Sequence, residues 1–137
     1  MLHVMTRLGP SKIHGIGLFA AEFIPKGTVV WTFTQNYDLL VSAEDVDSFS
    51  TSSRKQFFNY AYFDKTYKKY VLCGDDARFF NHSKNPSCTD AWVSGVDTTY
   101  AARDIEKGEE LTSDYGSYYG NIEDYPELNA EIRGKEC

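Results

Sequence analysis

The sequence predicts a mainly β fold of several short strands with one or two short helices. Apolar runs rich in Val, Phe, Tyr and Thr recur between Gly, Pro and Asp residues, which is the pattern of strands separated by turns. The chain has 137 residues, of which 42% are hydrophobic, so it can bury one modest core without disulfide or metal support. We therefore expect one domain, with a loose tail or short helix at the end of the chain, over residues 120–137.

Each predicted strand is a short run enriched in β-branched or aromatic residues and bounded by turn-forming residues. The polar stretch from Asp64 to Lys69 joins two aromatic runs, so it predicts a hairpin. In chain order the predicted strands are Val4–Leu8, Gly17–Ala20, Thr28–Thr34, Ala61–Asp64, Lys69–Cys73, Ala91–Ser94, Thr98–Arg103 and Glu110–Thr112.

A helix is expected between Ala43 and about Phe57. Ser42 is a good N-cap residue, and Asp45 follows it three positions later, where a capping box places an acidic side chain. The cluster of Ser and Thr at residues 50–53 disfavours a helix interior, because these side chains compete for backbone hydrogen bonds. The segment therefore predicts one helix, two shorter helices, or a helix and a loop.

The pattern A-A-x-x-I-x-K-G occurs twice, at residues 20–27 and 101–108. Each copy precedes a predicted strand and ends on a glycine, which can adopt the positive φ of a tight turn. Both copies are expected to form the same strand, turn and strand arrangement, and chance similarity between two turns is the alternative.

Charge and cysteine content restrict the class of partner. The net charge of −6 disfavours direct binding to nucleic acid and favours a basic protein or peptide. The cysteines Cys73, Cys88 and Cys137 have no zinc-binding spacing, so we expect reduced thiols and no metal site. Without an apolar run long enough to span a membrane, we expect a soluble intracellular protein, cytoplasmic or nuclear, although a secreted effector stays open.

Three polar motifs stand out from the strand pattern. Residues 11–20 contain Gly15 and Gly17 just before a strand, where missing Cβ atoms let the backbone approach a ligand, but the further glycine of a dinucleotide fingerprint is absent. Asn81 and His82 precede a turn at Asn85-Pro86, and on their own would be a turn cap and a core histidine. Tyr115 ends the last apolar run, within Asp114-Tyr115-Gly116.

Together, the strings SKIHGIGLFA, RFFNHSKNPSC and GEELTSDYG resemble the signature segments of the SET-domain lysine methyltransferases, in the family's order. The resemblance covers nearly all of residues 1–119, which are therefore expected to form the domain. It implies a fold of small curved sheets with a knot-like C-terminal crossing, and a mechanism that uses S-adenosylmethionine without a metal. It implies cofactor binding by Lys12, His14, Gly15, Ile16, Gly17, Phe80, Asn81, His82 and Tyr119. It implies a substrate channel lined by Tyr60, Phe79, Ser113 and Tyr115, with Tyr115 as the catalytic residue.

The chemistry of methyl transfer to an amine agrees with this assignment. A lysine with a pKa of about 10.4 is neutral in roughly one molecule in a thousand near pH 7, so the enzyme must favour loss of its proton. A narrow aromatic channel does this by desolvating the ammonium, and the positive sulfonium of the cofactor acts in the same direction. A tyrosine hydroxyl, by resemblance that of Tyr115, can then orient the amine.

Two positions depart from the family pattern. Lys84 stands where many relatives have a cysteine, and only Cys137 lies downstream, so closure of the channel by a zinc site is not expected. Closure would then come from the tail or from a partner subunit, which makes a homodimer reasonable. Ser113 stands where relatives often have Phe or Tyr, and the smaller side chain leaves room for a second or third methyl group.

The alternative to an enzyme is a catalytically inactive SET-fold module that binds a peptide. Retention of Asn81, His82 and Tyr115 together favours the enzyme. A methyltransferase that acts on another amine is a third alternative, since the sequence does not identify the substrate.

Overall fold

The computed structural model describes residues 1–114 as short strands, two α-helices and one 3₁₀ turn. The mainly β prediction is confirmed. Tyr115, Tyr119 and the predicted tail at 120–137 lie outside the described residues. The strands are β1 (Thr6–Pro10), β2 (Ile16–Ala20), β3 (Val29–Thr32), β4 (Leu39–Val41), β5 (Tyr62–Asp64), β6 (Lys69–Leu72), β7 (Asn81–His82), β8 (Cys88–Val93), β9 (Val96–Ala101) and β10 (Thr112–Ser113), the helices are α1 (Ala43–Asp47) and α2 (Thr51–Tyr60), and the 3₁₀ turn is Asp76–Phe79.

The strands form four small sheets. Strands β1 and β2 form an antiparallel pair, β3, β9 and β8 form one antiparallel sheet, and β4, β6 and β5 form another. Strands β7 and β10 pair in parallel. Each predicted strand overlaps an observed one, although the run predicted at Glu110–Thr112 overlaps β10 only at Thr112. Strands β4 and β7 were not predicted, because runs of two or three residues show no period.

The helical segment is broken in two. The amide of Asp45 donates to Ser42 Oγ at 3.1 Å, and that of Ser53 donates to Ser50 Oγ at 3.2 Å. Each serine therefore caps its own helix, and Ser50 interrupts what would otherwise be one element. The single-helix prediction is wrong and the two-helix interpretation is confirmed. Neither described helix is long and apolar enough to cross a membrane.

The main core lies between the β1–β2 pair and the β3–β9–β8 sheet. It contains Leu18, Ala20, Ile24, Val30, Cys88, Ala101, Ile105 and Leu111, each exposed by 1% or less. A second cluster forms where the helices cover the β4–β6–β5 sheet, through Val46, Phe57, Ala61, Phe63 and Tyr70. Trp31 is 3% exposed in a third cluster, with Cys73 and Ala77.

The two A-A-x-x-I-x-K-G segments pair with each other. The amide of Ile24 donates to Ile105 O at 2.9 Å, and the amide of Ile105 donates back to Ile24 O at 2.8 Å. Their final glycines, Gly27 and Gly108, have φ values of 85° and 91°, which a side chain would strain. The prediction of one turn device used twice is confirmed. The two segments are called the paired turns below.

The parallel β7–β10 pair brings two distant motifs side by side. Thr112 pairs with Asn81 and Ser113 with His82, and the amide of Ser83 donates to Ser113 O at 3.0 Å. The Asn-His motif therefore lies beside the strand that leads to Tyr115. Because the described chain stops at Asp114, the predicted knot-like crossing stays a prediction past that point.

The hairpin predicted between Asp64 and Lys69 is present. The carboxyl groups of Asp64 and Asp97 are buried beside it. The Asp64 carboxylate accepts hydrogen bonds from the amides of Thr66 and Tyr67 at the turn, at 2.8 and 2.9 Å. The Tyr62 hydroxyl donates to Asp97 Oδ2 at 2.9 Å. Burial raises the pKa of Asp97 to about 6, and the negative charge of Asp64 adds to this effect.

Candidate functional site

A cavity of about 240 Å³ opens where the residue 11–17 loop, the end of α2 and the Asn-His motif meet. It is slightly smaller than the roughly 300 to 1,000 Å³ of typical small-molecule sites, and its described wall comes from residues 1–114 only. Most of the residues predicted for the cofactor and the channel lie around it. The lining residues are His14, Gly15, Ile16, Asn59, Tyr60, Arg78, Phe79, Phe80 and Asn81.

The loop before β2 is held by a serine hydroxyl. Ser11 Oγ accepts hydrogen bonds from the amides of Ile13 and His14, at 2.9 and 3.3 Å, and the Ser11 amide donates to Gly15 O at 2.8 Å. Gly15 has a φ of 48°, and a Cβ on it would meet nothing within 4 Å. Glycine is needed there for its backbone conformation, which turns the chain toward the cavity.

Asn81 joins this loop to the β7–β10 pair. Its Nδ2 donates to His14 O at 3.0 Å, to Ile16 O at 3.4 Å and to Glu110 Oε1 at 2.9 Å. These partners are distant in the sequence, so Asn81 is not the local turn cap of the alternative interpretation. It holds the loop against one wall of the cavity.

Glu110 is a site residue that sequence reasoning missed. Besides the bond from Asn81, its Oε2 accepts from Ser11 Oγ at 3.0 Å. A Cβ on Gly17 would lie 2.2 Å from Glu110 Oε1, so Gly17 leaves the space that this carboxylate fills. The neighbouring Glu109 instead accepts from the Glu106 amide at 2.9 Å and from Arg103 at 2.8 Å, and these two bonds, the first most of all, lower its pKa. Alternation along a strand was the only signal that could have separated the two glutamates.

An aromatic pair forms another part of the wall. The rings of Tyr60 and Phe79 meet edge to face with centroids 5.3 Å apart. Arg78, beside Phe79, is a second residue that was missed, although it opens the quoted RFFNHS string. Its guanidinium donates to Cys73 O at 2.9 Å, and Arg78 is one of the lining residues, so its positive charge near the cavity suits a carboxylate group.

Other predicted site residues lie away from the cavity lining. Lys12 is exposed, Gly17 is buried behind the loop, and Ser113 is completely buried in β10. His82 is 9% exposed, and its Nδ1 lies 3.6 Å from Asp114 Oδ1. Because successive residues of a strand face opposite sides, His82 points away from the side that Asn81 occupies. The predicted roles of Tyr115 and Tyr119 lie outside the described residues.

The two described thiols, those of Cys73 and Cys88, do not line the cavity. Burial raises the pKa of both Cys73 and Cys88, so both are protonated at neutral pH. Within residues 1–114, no group of three or more His, Cys, Asp or Glu side chains is arranged to hold a metal ion.

A family model and two curated relatives point to the same family of proteins. The model of the SET domain matches residues 15–116. A Schizosaccharomyces pombe histone-lysine N-methyltransferase, H3 lysine-4 specific, is 33% identical over 116 residues, which is 78% of this chain and 12% of that protein. The Drosophila melanogaster histone-lysine N-methyltransferase trr is 32% identical over 79% of this chain and 5% of its own length. The chain thus spans a small part of the curated relatives that it matches.

Solved structures agree with the fold. A candidate histone methyltransferase from Plasmodium falciparum superimposes with a TM-score of 0.60 at 21% identity, covering 84% of this chain and 96% of that one. The complex ctPRC2, in an autoinhibited conformation bound to S-adenosylmethionine, contains a chain with a TM-score of 0.64 at 23% identity, covering 95% of this chain and 17% of that one. The segment that matches the SET-domain model includes Gly15 and Gly17, the Asn-His motif and strand β10, and the chain therefore belongs to the SET-domain family.

Proposed function

We propose that this protein is an S-adenosylmethionine-dependent protein-lysine N-methyltransferase that acts on a basic protein segment. The observation that carries the proposal is the convergence of the glycine loop, Asn81, Arg78 and the Tyr60–Phe79 pair on one cavity. A zwitterionic amino-acid group needs a cation for its carboxylate and an acceptor for its ammonium, and Arg78 and Asn81 supply both. The names of the relatives, which are histone-lysine methyltransferases, support the same reaction.

When bound, the cofactor supplies an electrophilic methyl group on a positive sulfonium. The residues of this chain would orient it and exclude water. The loop that carries Gly15 approaches with its backbone, and the rings of Tyr60 and Phe79 cover an apolar part of the wall. An aromatic wall that displaces water from an entering lysine ammonium would lower its pKa, because the charged form loses hydration.

Tyr115 is proposed to orient the lysine amine through its hydroxyl. Asp114 directly precedes Tyr115, and its Oδ1 lies 3.6 Å from His82 Nδ1, a contact that can hold the end of β10 against β7. The substrate is proposed to be basic, because a net charge of −6 attracts flexible Lys-rich segments. Histone-like proteins and other lysine-bearing proteins meet this description.

The test separates binding from catalysis. Calorimetry with S-adenosylhomocysteine should show binding to the wild-type protein and to Tyr115→Phe. Labelled methyl groups should pass from the donor to protein in a histone mixture or cell lysate with the wild type and be lost with Tyr115→Phe. Tyr37→Phe is the matched control, because Tyr37 is 44% exposed and does not line the cavity, so it should label normally. If the wild-type protein does not bind S-adenosylhomocysteine, the alternative of a catalytically inactive peptide-binding module is favoured. If Tyr115→Phe labels protein as well as the wild type does, Tyr115 has no catalytic role.

Ser113 is proposed to allow more than one methyl transfer. It is completely buried two positions before Tyr115, and a serine there occupies much less volume than Phe or Tyr. Mass spectrometry of the product should show di- or trimethyl-lysine for the wild type. A folded Ser113→Tyr variant should shift the product toward monomethyl-lysine, and a wild type that gives only monomethyl-lysine would contradict the proposal.

A further inference from the structure

Glu110 lies where three segments that are distant in the sequence meet: the residue 11–17 loop, strand β7 and the residues before β10. Its two carboxylate oxygens accept hydrogen bonds from different partners, Oε1 from Asn81 Nδ2 at 2.9 Å and Oε2 from Ser11 Oγ at 3.0 Å. Both bonds are partly buried, so water screens them less than it screens a surface pair. We propose that Glu110 is a positioning residue that fixes the amide of Asn81 and the residue 11–17 loop for cofactor binding. This inference rests on the proposed function of the cavity.

The first step concerns the orientation of the Asn81 amide. Its Nδ2 is surrounded by acceptors only, namely His14 O, Ile16 O and the carboxylate of Glu110. In the flipped orientation the amide oxygen would face two carbonyls and a negative charge, which is repulsive. Glu110 carries the only full charge of the three, and a charge-assisted bond is about twice as strong as a neutral one. The carboxylate therefore contributes most to holding the amide nitrogen on this side.

The consequence for the cavity is chemical. With Nδ2 directed at Glu110 and the loop, Oδ1 is the amide atom that can accept a hydrogen bond from a ligand. An ammonium is a donor without an acceptor, so it matches this oxygen and not the amide nitrogen. The amino group of the cofactor's methionine part belongs to this class. Glu110 thus favours an ammonium ligand without contacting the ligand itself.

The second step concerns the loop. Ser11 Oγ accepts from the amides of Ile13 and His14, so its own proton must be donated elsewhere. Glu110 Oε2 is the acceptor of that proton, which leaves both lone pairs of the hydroxyl for the two amides. The carboxylate therefore stabilises the turn that places His14 and Gly15 at the cavity.

Glu110→Gln keeps the size of the side chain but presents one oxygen and one NH₂ group. It cannot accept from Asn81 and Ser11 through two separate oxygens, so one of the two bonds is lost. We expect calorimetry to show at least about tenfold weaker binding of S-adenosylhomocysteine, the factor that about 1.4 kcal/mol represents. Amide hydrogen exchange over residues 11–17 should become faster, while exchange in β9 stays unchanged. In turnover the KM for the cofactor should rise more than kcat falls.

Glu109→Gln is the matched control, because Glu109 is the adjacent glutamate and pairs with Arg103 at the surface. It should change neither affinity nor loop exchange. Ser11→Ala is the second variant if Glu110→Gln fails to fold, since it removes the bond to Glu110 Oε2 together with the acceptor of the Ile13 and His14 amides, and keeps the bond from Asn81 to Glu110. It should accelerate exchange over residues 11–17, and the effects of the two variants should not add in the double variant.

The outcomes separate the two proposals. Wild-type affinity and wild-type loop exchange in Glu110→Gln would overturn the positioning role while the proposed function stands. A wild-type protein that does not bind S-adenosylhomocysteine would refute the proposed function. Loop exchange in ligand-free Glu110→Gln would then still test the contact: unchanged exchange overturns the link between Glu110 and the loop, and faster exchange supports it.

Discussion

Replacing Gly17 by alanine tests how closely the loop and the carboxylate fit. The new Cβ would lie 2.2 Å from Glu110 Oε1 and 3.1 Å from Ser11 Cβ. Because the carboxylate is the flexible end of a side chain, it would move by roughly 1 Å, which lengthens its hydrogen bonds beyond the normal range. The backbone of Gly17 is not in the left-handed region, so the effect comes from this contact and not from strain.

The magnitude follows from the bonds that are lost. One charge-assisted hydrogen bond contributes about 1.5 to 3 kcal/mol, and partial exposure reduces this to about 1 to 2 kcal/mol. Alanine restores about 0.4 to 1 kcal/mol by restricting the unfolded chain. We therefore expect Gly17→Ala to lose about 1 kcal/mol of unfolding free energy, roughly 3 to 6 °C in Tm. Binding of S-adenosylhomocysteine should weaken by about five- to thirtyfold, because the displaced carboxylate releases Asn81.

Calorimetric binding and thermal unfolding measure the two effects separately, and Gly27→Ala is the matched control. Gly27 has a φ of 85° and open space at its Cβ position, so alanine there costs about 1 kcal/mol or more through backbone strain. Gly27 does not line the cavity, so its variant should lose stability and keep its affinity. A Gly17→Ala protein that binds as tightly as the wild type would refute the reasoning about Glu110.

Three further outcomes are expected. In urea unfolding, Asp97→Asn should be more stable than the wild type above pH 6 and should lose this advantage toward pH 4. The reason is that the pKa of Asp97 is raised to about 6, so ionisation of this carboxyl destabilises the folded protein. Equal stabilities of the two proteins at both pH values would contradict this. Cys73 and Cys88 should react with a thiol reagent only as the protein unfolds, as read by peptide mass spectrometry, and fast labelling of the native state would argue against their burial. In chemical denaturation, Ile24→Ala should lower the free energy of unfolding by about 2 to 5 kcal/mol, and Phe23→Ala, at the exposed neighbouring residue, by about 1 kcal/mol or less. Similar losses for the two variants would contradict the burial of Ile24 in the main core.

The motifs could be predicted from the sequence because each is local. The glycine loop, the Asn-His motif and the aromatic residues near it are contiguous strings, and the cavity is lined by members of all three. The helix break followed from the same kind of information, since Ser50 caps the helix that follows it.

Contacts between the strings could not be predicted. Asn81 donates a hydrogen bond to His14, 67 positions away in the sequence, and Ser11 donates to Glu110, 99 positions away. No local sequence pattern predicts a contact between residues so far apart. Glu109 and Glu110 look alike in sequence, yet one pairs with Arg103 at the surface and the other holds the loop. For the same reason Gly15 and Gly17 appeared as one motif, although one serves the backbone conformation and the other makes room for a carboxylate.

The paired turns have a consequence for how the chain folds. Ile24 and Ile105 exchange backbone hydrogen bonds roughly 80 residues apart, so the main core closes only when both ends of the domain are present. Topologies dominated by such distant pairs fold slowly, because loop-closure entropy is lost before contacts compensate for it. During synthesis, the apolar side chains of Leu18 and Ile24 would stay exposed until the second of the paired turns, residues 101–108, leaves the ribosome. Truncation before Gly108 should therefore give an aggregating chain, not a smaller folded domain.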